Sequence, residues 1–483
     1  MARVKIDLDR RLGIIDRKVY GMFIEHLGRC IYGGIYEAGS PLSDENGIRR
    51  DVLEASRGLQ PPIMRYPGGN FVSDYHWLDG VGPEEKRPVR TEHAWRTVET
   101  NEFGTNEFIE YCRLFPTEPY ICANMGTGTM DEAAAWVEYC NRDDETSYAK
   151  LRVEHGFERP HKVIYWGLGN EMYGDWQVGH KTAEDYAKDA RRFAQVMQAT
   201  DEDIKLVLCG GGYLHWDRIA LEHCADLVDY ISYHVYWGRV PDQDPYYSNL
   251  AQPYASEQYL KFLWYLIQQV KREKRVNRPL QIAVDEWNVW YRTHGTTHIE
   301  ERYDLTDSLS VTIYMNMMRR NCQAIGMACL AQLVNVLGPI FTSQEGMFLQ
   351  TIYHPLRLAV QKSGPIALDA FVDCGTYNAD YSGVPEVPYL DVTATFDESA
   401  KKLFVSMVNL NKDEAQEVDL QVRGGDIGSS GIAYIVTGES PEATNDFGKQ
   451  DVTCQEQPLS DASAKFTYTM PPMSHVLLEL EVT

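Results

Sequence analysis

From about residue 19 the chain repeats one pattern of apolar and polar positions. A short apolar run leads into a loop of glycine and polar groups, then into a stretch with apolar residues near helical spacing. Eight runs can be read: VYGMFIEH (19–26), PIMRYPGG (62–69), PYICANMG (119–126), VIYWGLGN (163–170), KLVLCGGG (205–212), DYISYHVY (229–236), LQIAVDEW (280–287) and ACLAQLVN (328–335). Helix-like segments such as DEAAAWVEYCNR, TAEDYAKDARRFAQVMQAT and SEQYLKFLWYLIQQVKREK lie between them. Alternating strands and helices imply parallel βαβ units. Eight units predict an α/β fold, a (β/α)8 TIM barrel over residues 14–362. A doubly wound sheet is the structural rival, but GLGNEM and GTGTMD both lack the third glycine of a dinucleotide fingerprint.

Beyond about residue 363 the pattern changes. IALDAFVDCGTY, PYLDVTATFD, KKLFVSMVNL, EAQEVDLQVRG, SGIAYIVTG, KFTYTM and SHVLLELEVT are short, alternating and separated by turn residues. They predict an antiparallel β-sandwich domain over 363–483. The N-terminal RVKIDL alternates in the same way, so residues 1–13 are expected to join that domain as a strand.

Composition narrows the partners. With 44% hydrophobic and 24% charged residues the chain is globular in character. A net charge of −24 argues against nucleic acid and anionic membrane, both of which would repel it, and suits a neutral substrate. No apolar run approaches the roughly 20 residues needed to span a bilayer. The start, MARVKIDLDRR, has no apolar signal core. Ten cysteines occur without CxxC spacing. Reduced thiols in a cytoplasm are therefore expected.

In such barrels the chemistry sits at the C-terminal ends of the strands. Those ends carry Glu25-His26, Arg65 through Asn70, Asn170-Glu171, His234 to Tyr236, and Asp285-Glu286-Trp287. Trp95, Trp176, Trp237, Trp287 and Trp290 crowd the same rim. A hydrophobic core needs no such polar set. Glu171 on the fourth strand and Glu286 on the seventh can face each other across the mouth. Two opposed carboxylates between aromatic walls suit glycoside hydrolysis. One protonates the leaving oxygen while the other attacks the anomeric carbon. A gap of roughly 5 to 5.5 Å predicts retention, and a wider one inversion. The acid must hold its proton, which burial beside the rings of Tyr173 and Trp176 favours. The nucleophile must stay ionised, for which Arg65 and Tyr236 are candidates. The plain alternative is a pair of strand-end carboxylates in structural ion pairs.

YGMFIEHLGRCIYGGIYE, MRYPGGNFVSDYHW, WRTVETNEFGTNEF, YWGLGNEMYGDWQVGH, YISYHVYW and AVDEWNVWY, in this order, resemble the family 51 glycoside hydrolases, the α-L-arabinofuranosidases. The resemblance covers nearly the whole barrel and is weaker in the sandwich. It implies Glu171 as acid/base and Glu286 as nucleophile, with Asn170 touching the sugar 2-hydroxyl. It implies Glu25, Asn70 and Gln350 as holders of the furanose hydroxyls. Arg65, His234 and Tyr236 match the shell around the nucleophile, and Trp95, Trp176 and Trp290 match aromatics of the pocket or its leaving-group side. It further implies retention, no metal or other cofactor, arabinose-containing oligosaccharides as substrates, and a homo-oligomer, commonly a hexamer. Where the family commonly reads NEMDGPWQ, this chain has Tyr173 and Asp175, which puts the preferred leaving group in question.

Other signals weigh less. His294 and His298 have metal-like i, i+4 spacing, but the segment lacks HExxH and an evident third ligand, so a loop is expected. His26 is expected to be a structural hydrogen-bonding group, Cys30 a packing residue, and His76 and His93 neighbours of the rim. Three rivals remain: another furanosidase or an endo-acting β-glycanase of the same barrel type, a non-catalytic sugar-binding barrel, and a metal-dependent hydrolase.

Overall fold

The computed structural model describes residues 1–292 and 299–483; His294 and His298 lie outside the described residues. Eight strands close into a parallel barrel in chain order. They are Gly21–Phe23, Ile63–Tyr66, Glu118–Ala123, Tyr165–Leu168, Lys205–Leu208, Tyr230–Trp237, Gln281–Val289 and Ile325–Ala331. Each falls within, or overlaps, one of the eight apolar runs. The reason is physical: a parallel strand covered on both faces reads as a nearly unbroken apolar run. Phe23, Ile63, Tyr120, Val207, Tyr230, Ala283, Met327 and Cys329 fill the barrel interior. A larger core lies between the strands and the surrounding helices.

One helix begins earlier than its periodicity suggests. Pro245–Lys274 starts eleven residues before SEQYLKF because the Asp244 carboxylate caps the Tyr246 and Tyr247 amides and Pro245 occupies the first turn. Pro253 lies inside it, which hid the first two turns from a reading by breakers.

Nine further strands form one sheet, and the rest pair as short two-stranded hairpins. Ala2–Ile14 lies between Ile366–Asp373, which it pairs antiparallel, and Gln416–Arg423, which it pairs parallel. Val4, Ile6, Leu368, Val392, Val405, Leu420, Ile435 and Leu478, from both halves of the sheet, share one core. The sheet therefore folds over its own apolar face, with all its other pairings antiparallel. The edge strand Thr453–Ser460 escaped the sequence reading because TCQEQPLS is polar and largely exposed. Leu309 and Ile313 of the helix Leu305–Arg320 pack with Phe404, Val408 and Leu477 of the sheet. At the same seam Asp391 accepts from Asn316 at 2.6 Å and pairs Arg320 at 2.9 Å. Among the described residues no helix is long and apolar enough to cross a membrane.

Candidate active site

The seventh barrel strand explains how two consecutive carboxylates reach one site. Its pairing slips between Ala283 and Glu286 on one side and between Val284 and Trp287 on the other. A bulge there breaks the strict alternation of side chains. Asp285 consequently accepts from Tyr120 Oη at 2.7 Å inside the barrel, while Glu286 accepts from Tyr236 Oη at 2.8 Å at its mouth. Strict alternation would have sent one of them outward.

Arg65, on the second strand, ties these groups together. Fully buried over the Phe23 ring, it donates through Nη1 to Glu286 at 2.7 Å and through Nη2 to Asn170 Oδ1 at 2.6 Å. Its Nε lies 3.6 Å from Asp285. The planar fork thus fixes the fourth and seventh strand ends relative to each other, a task a lysine point charge performs poorly. Asn170 is left with its buried Nδ2 unpartnered, an open donor beside the two glutamates.

Glu171 follows the fourth strand with φ of 42°, a left-handed conformation uncommon outside glycine. Its Oε1 meets His234 Nδ1 at 3.0 Å and accepts from Tyr173 Oη at 3.2 Å, and its Oε2 accepts from Trp176 Nε1 at 2.8 Å. His234 also lies 3.4 Å from Asp285 through Nε2 and 3.4 Å from Glu286 through Nδ1. One oxygen of each glutamate and a ring nitrogen of His234 fall within 4.8 Å of one another.

The electrostatics differ from the sequence expectation. Burial, the largest influence, pushes the Glu171 carboxyl up, but the hydrogen bond and charge of His234 with the indole and phenol donors hold it below its ordinary value. The rings beside Glu171 act as polar donors, not as an apolar blanket. For His234 burial works against the charge. The Glu286 carboxylate, the hydrogen bonds to Asp285 and Glu171 and the Asp285 charge outweigh it and push the imidazole up to about 10. Asp285, although buried, stays below its ordinary value because Arg65, His234 and Tyr120 face it.

Two family models match the chain, described as "Alpha-L-arabinofuranosidase 1 domain" over residues 55–252 and "Alpha-L-arabinofuranosidase C-terminal domain" over 285–474. A probable α-L-arabinofuranosidase C of Aspergillus clavatus is 41% identical over 98% of this chain and 96% of its own. An intracellular exo-α-(1→5)-L-arabinofuranosidase of Halalkalibacterium halodurans is 38% identical over 94% of this chain and 93% of its own. The structure of a thermostable family 51 α-L-arabinofuranosidase from Thermotoga petrophila superposes with a TM-score of 0.93 at 41% identity, covering 100% of both chains. The chain belongs to the family 51 α-L-arabinofuranosidases. It is a glycoside hydrolase.

In this arabinofuranosidase Glu25 follows the first barrel strand. Its Oε1 accepts from the Phe71 amide at 3.1 Å and Trp95 Nε1 at 3.0 Å, and its Oε2 from Gln332 Nε2 at 3.0 Å. Gly69 admits this carboxylate, since an added Cβ would stand 2.5 Å from Glu25 Oε2. Burial first and the Glu286 charge second push the Glu25 carboxyl up to about 8, against the opposing pull of the Phe71 amide, Trp95 and Arg65. A carboxyl raised from 4.5 to about 8 on folding contributes stability that is full below about 4.5 and is lost as pH rises through about 8. Thermal unfolding of the wild type should therefore lose stability across that window relative to Glu25→Gln, which carries no titrating group. Parallel unfolding curves for the two from pH 5 to 9 would contradict this.

The other anticipated residues fall as follows. Asn70 opens the turn after the second strand, where its backbone carbonyl accepts from Gln177 at 3.4 Å. Trp290 stands edge-on to Tyr236 with centroids 5.3 Å apart, and the Arg292 guanidinium lies over its ring at 4.6 Å. Trp176 is more than half exposed beside Glu171. Gln350 is buried with its amide engaged by backbone, accepting from the Tyr303 amide at 3.0 Å and donating to the Glu301 and Gly338 carbonyls at 3.1 and 2.8 Å. Two of the five tryptophans read as rim are instead core. Trp237 and Trp287 stack on Tyr314 with centroids 4.8 and 4.9 Å away, buried in the helix layer. His26 bridges Tyr66 and Glu99 in the core at 3.2 Å each, and Cys30 is buried. His76 and His93 pair with Glu132 and Asp74 at 2.9 and 2.5 Å beside the hairpin that carries Trp95.

Asp285 and Gln332 went unnoticed as site residues in the sequence. Asp285 was visible only as the neighbour of Glu286, and Gln332 resembled a polar interruption of the eighth strand. Glu171, His234 and Glu286 are spaced as a metal could use them. Arg65 already occupies one Glu286 oxygen at 2.7 Å, and His234 Nδ1 faces Glu171 at 3.0 Å.

Proposed function

We propose that Glu286 attacks the anomeric carbon of a terminal α-L-arabinofuranosyl unit while Glu171 protonates the departing oxygen, and that ionised Glu171 then activates water to release arabinose. The observation that carries these roles is the proximity of the two carboxylates, with oxygens within 4.8 Å. That spacing lies toward the short separation of retaining glycosidases and so favours direct attack. Arg65 and Tyr236 each hold one Glu286 oxygen and so aim the attacking carboxylate. The unpartnered Nδ2 of Asn170 suits a ring hydroxyl. Asn70 and Gln350 are kept as hydroxyl-binding candidates, Gln350 only by giving up one of its backbone bonds.

His234 connects the two half-roles. Its raised pKa owes most, among the raising influences, to the Glu286 charge. As Glu286 forms its bond to the sugar, that charge fades and the imidazole holds its proton less firmly. The proton then moves along the 3.0 Å contact to Glu171 and on to the leaving oxygen. Nucleophilic attack and leaving-group protonation are coupled in this way.

Oligosaccharides from arabinan or arabinoxylan are the proposed substrates, cut from the non-reducing end. The name of the Halalkalibacterium relative, an intracellular exo-acting enzyme, supports this and a cytoplasmic location. A hexamer, and a division into a barrel over 14–362 and a sheet domain over 363–483 joined by the N-terminal strand, belong to the same proposal. The test is hydrolysis of an aryl α-L-arabinofuranoside beside the β-D-xyloside, β-D-glucoside and β-D-galactofuranoside, with the anomer of the first product followed by NMR. Selective arabinofuranoside turnover with α-arabinose released first is expected. Selective turnover of another glycoside would sink the sugar assignment, and β-arabinose would sink double displacement.

A further inference from the structure

We propose that Glu92 is a positioning residue for sugar binding: its carboxylate shapes the turn that presents the Trp95 indole to Glu25. This rests on the reading that the furanose lies between Glu25 and the two catalytic carboxylates. Trp95 sits at the tip of the hairpin formed by Arg90–Glu92 and Thr97–Glu99. Its Nε1 donates to Glu25 Oε1 at 3.0 Å. Between residues 90 and 99 only Glu92 and Glu99 are buried; Ala94 and Trp95 are half-buried and the others exposed. A hairpin with so little apolar cover takes its shape from hydrogen bonds. Here those bonds go to two acids.

Glu99 fixes the base of the hairpin. It accepts from Tyr32 Oη at 2.5 Å and from the Asn101 amide at 2.7 Å, and lies 3.2 Å from His26 Nδ1. Glu92 fixes the tip. Its Oε1 accepts from the Ala94 amide at 2.6 Å and its Oε2 from the Trp95 amide at 2.7 Å. The Trp95 residue is thus held at its backbone by one glutamate and at its indole by another. Arg96 follows with φ of 59°, a left-handed conformation that a chain adopts only when its surroundings impose it. Packing does not impose it from behind, where a cavity of about 340 Å³ is lined by Thr91, Glu92, His93 and Glu99 of the hairpin and by Asp74 and Tyr75 opposite. His93 and Arg90 pair with Asp74 and Asp79, but at 64% and 60% exposure these cations hold the hairpin weakly. The two amide bonds of Glu92 therefore decide where the indole stands.

The test is a double-mutant cycle read on sugar binding. Glu92→Ala should raise KM for an aryl α-L-arabinofuranoside and the inhibition constant of arabinose together, each about tenfold, the loss of one well-placed hydrogen bond. kcat should stay within about threefold, because Glu171 and Glu286 keep their partners. In a Trp95→Ala background the same substitution should add less than about twofold, since the group it positions is gone. Glu92→Gln keeps the length and one acceptor oxygen and should lose about threefold. It carries the same cycle if the alanine variant fails to fold. An undiminished loss in the Trp95→Ala background, or unchanged KM and inhibition in both Glu92 variants, would overturn the proposal. A fall in kcat alone would also overturn it. Failure of the wild type to be inhibited by arabinose would instead overturn the functional reading beneath it.

Discussion

Glu286→Ala should lower kcat by about four to six orders of magnitude on every arabinofuranoside, whatever its leaving group. Without the attacking carboxylate no covalent intermediate forms, so a better leaving group cannot compensate. The fold should survive. The buried Arg65 keeps Asp285 at 3.6 Å and Asn170 at 2.6 Å as partners, so its charge is not stranded. The lost side chain opens space beside Tyr236 and Arg65, into which azide can diffuse. Azide entering there attacks from the face Glu286 used, and the product should be β-L-arabinofuranosyl azide, inverted relative to the substrate. Product NMR distinguishes this from retained α-azide. A variant within tenfold of wild type in the absence of azide would move the nucleophile elsewhere.

How much of this was legible beforehand follows residue by residue from the physics. The barrel was, because each buried parallel strand leaves a nearly continuous apolar run bounded by glycine and polar groups. The meeting of Glu171 and Glu286 at one mouth was, because a carboxylate closing such a run needs a reason to be there. The bulge that lets Asp285 and Glu286 face inward together was not, since VDEW has no feature that marks a slipped register. Trp237 and Trp287 were misplaced for a related reason. At a strand end the choice between mouth and helix layer turns on one residue of register. The state of Glu171 could not be read either. Tyr173 and Trp176 look apolar in sequence, and only their orientation reveals two donors aimed at one carboxylate. Gln332 comes to Glu25 from 307 positions away, a contact with no local sequence signature.

Glu171→Ala is expected to divide substrates by leaving group. For an alkyl or sugar leaving group the proton is indispensable, and kcat/KM should fall about 10³- to 10⁴-fold. A dinitrophenyl group departs as a stable anion, so formation of the arabinosyl-enzyme should fall less than tenfold. The second step still lacks its base, and the intermediate should accumulate as a burst of dinitrophenol. Azide needs no base. In this variant it attacks the intermediate from the face the leaving group vacated and should give α-L-arabinofuranosyl azide, the opposite anomer from that of Glu286→Ala. His234 adds a further expectation. Two of the influences raising its pKa, Glu286 and Asp285, remain in place, so its charge persists and the stranded proton has no route to substrate. Equal losses on sugar and dinitrophenyl substrates would exclude Glu171 as the acid. Opposite azide anomers from the two variants would place the two carboxylates on opposite faces of the same anomeric carbon, which is what double displacement requires.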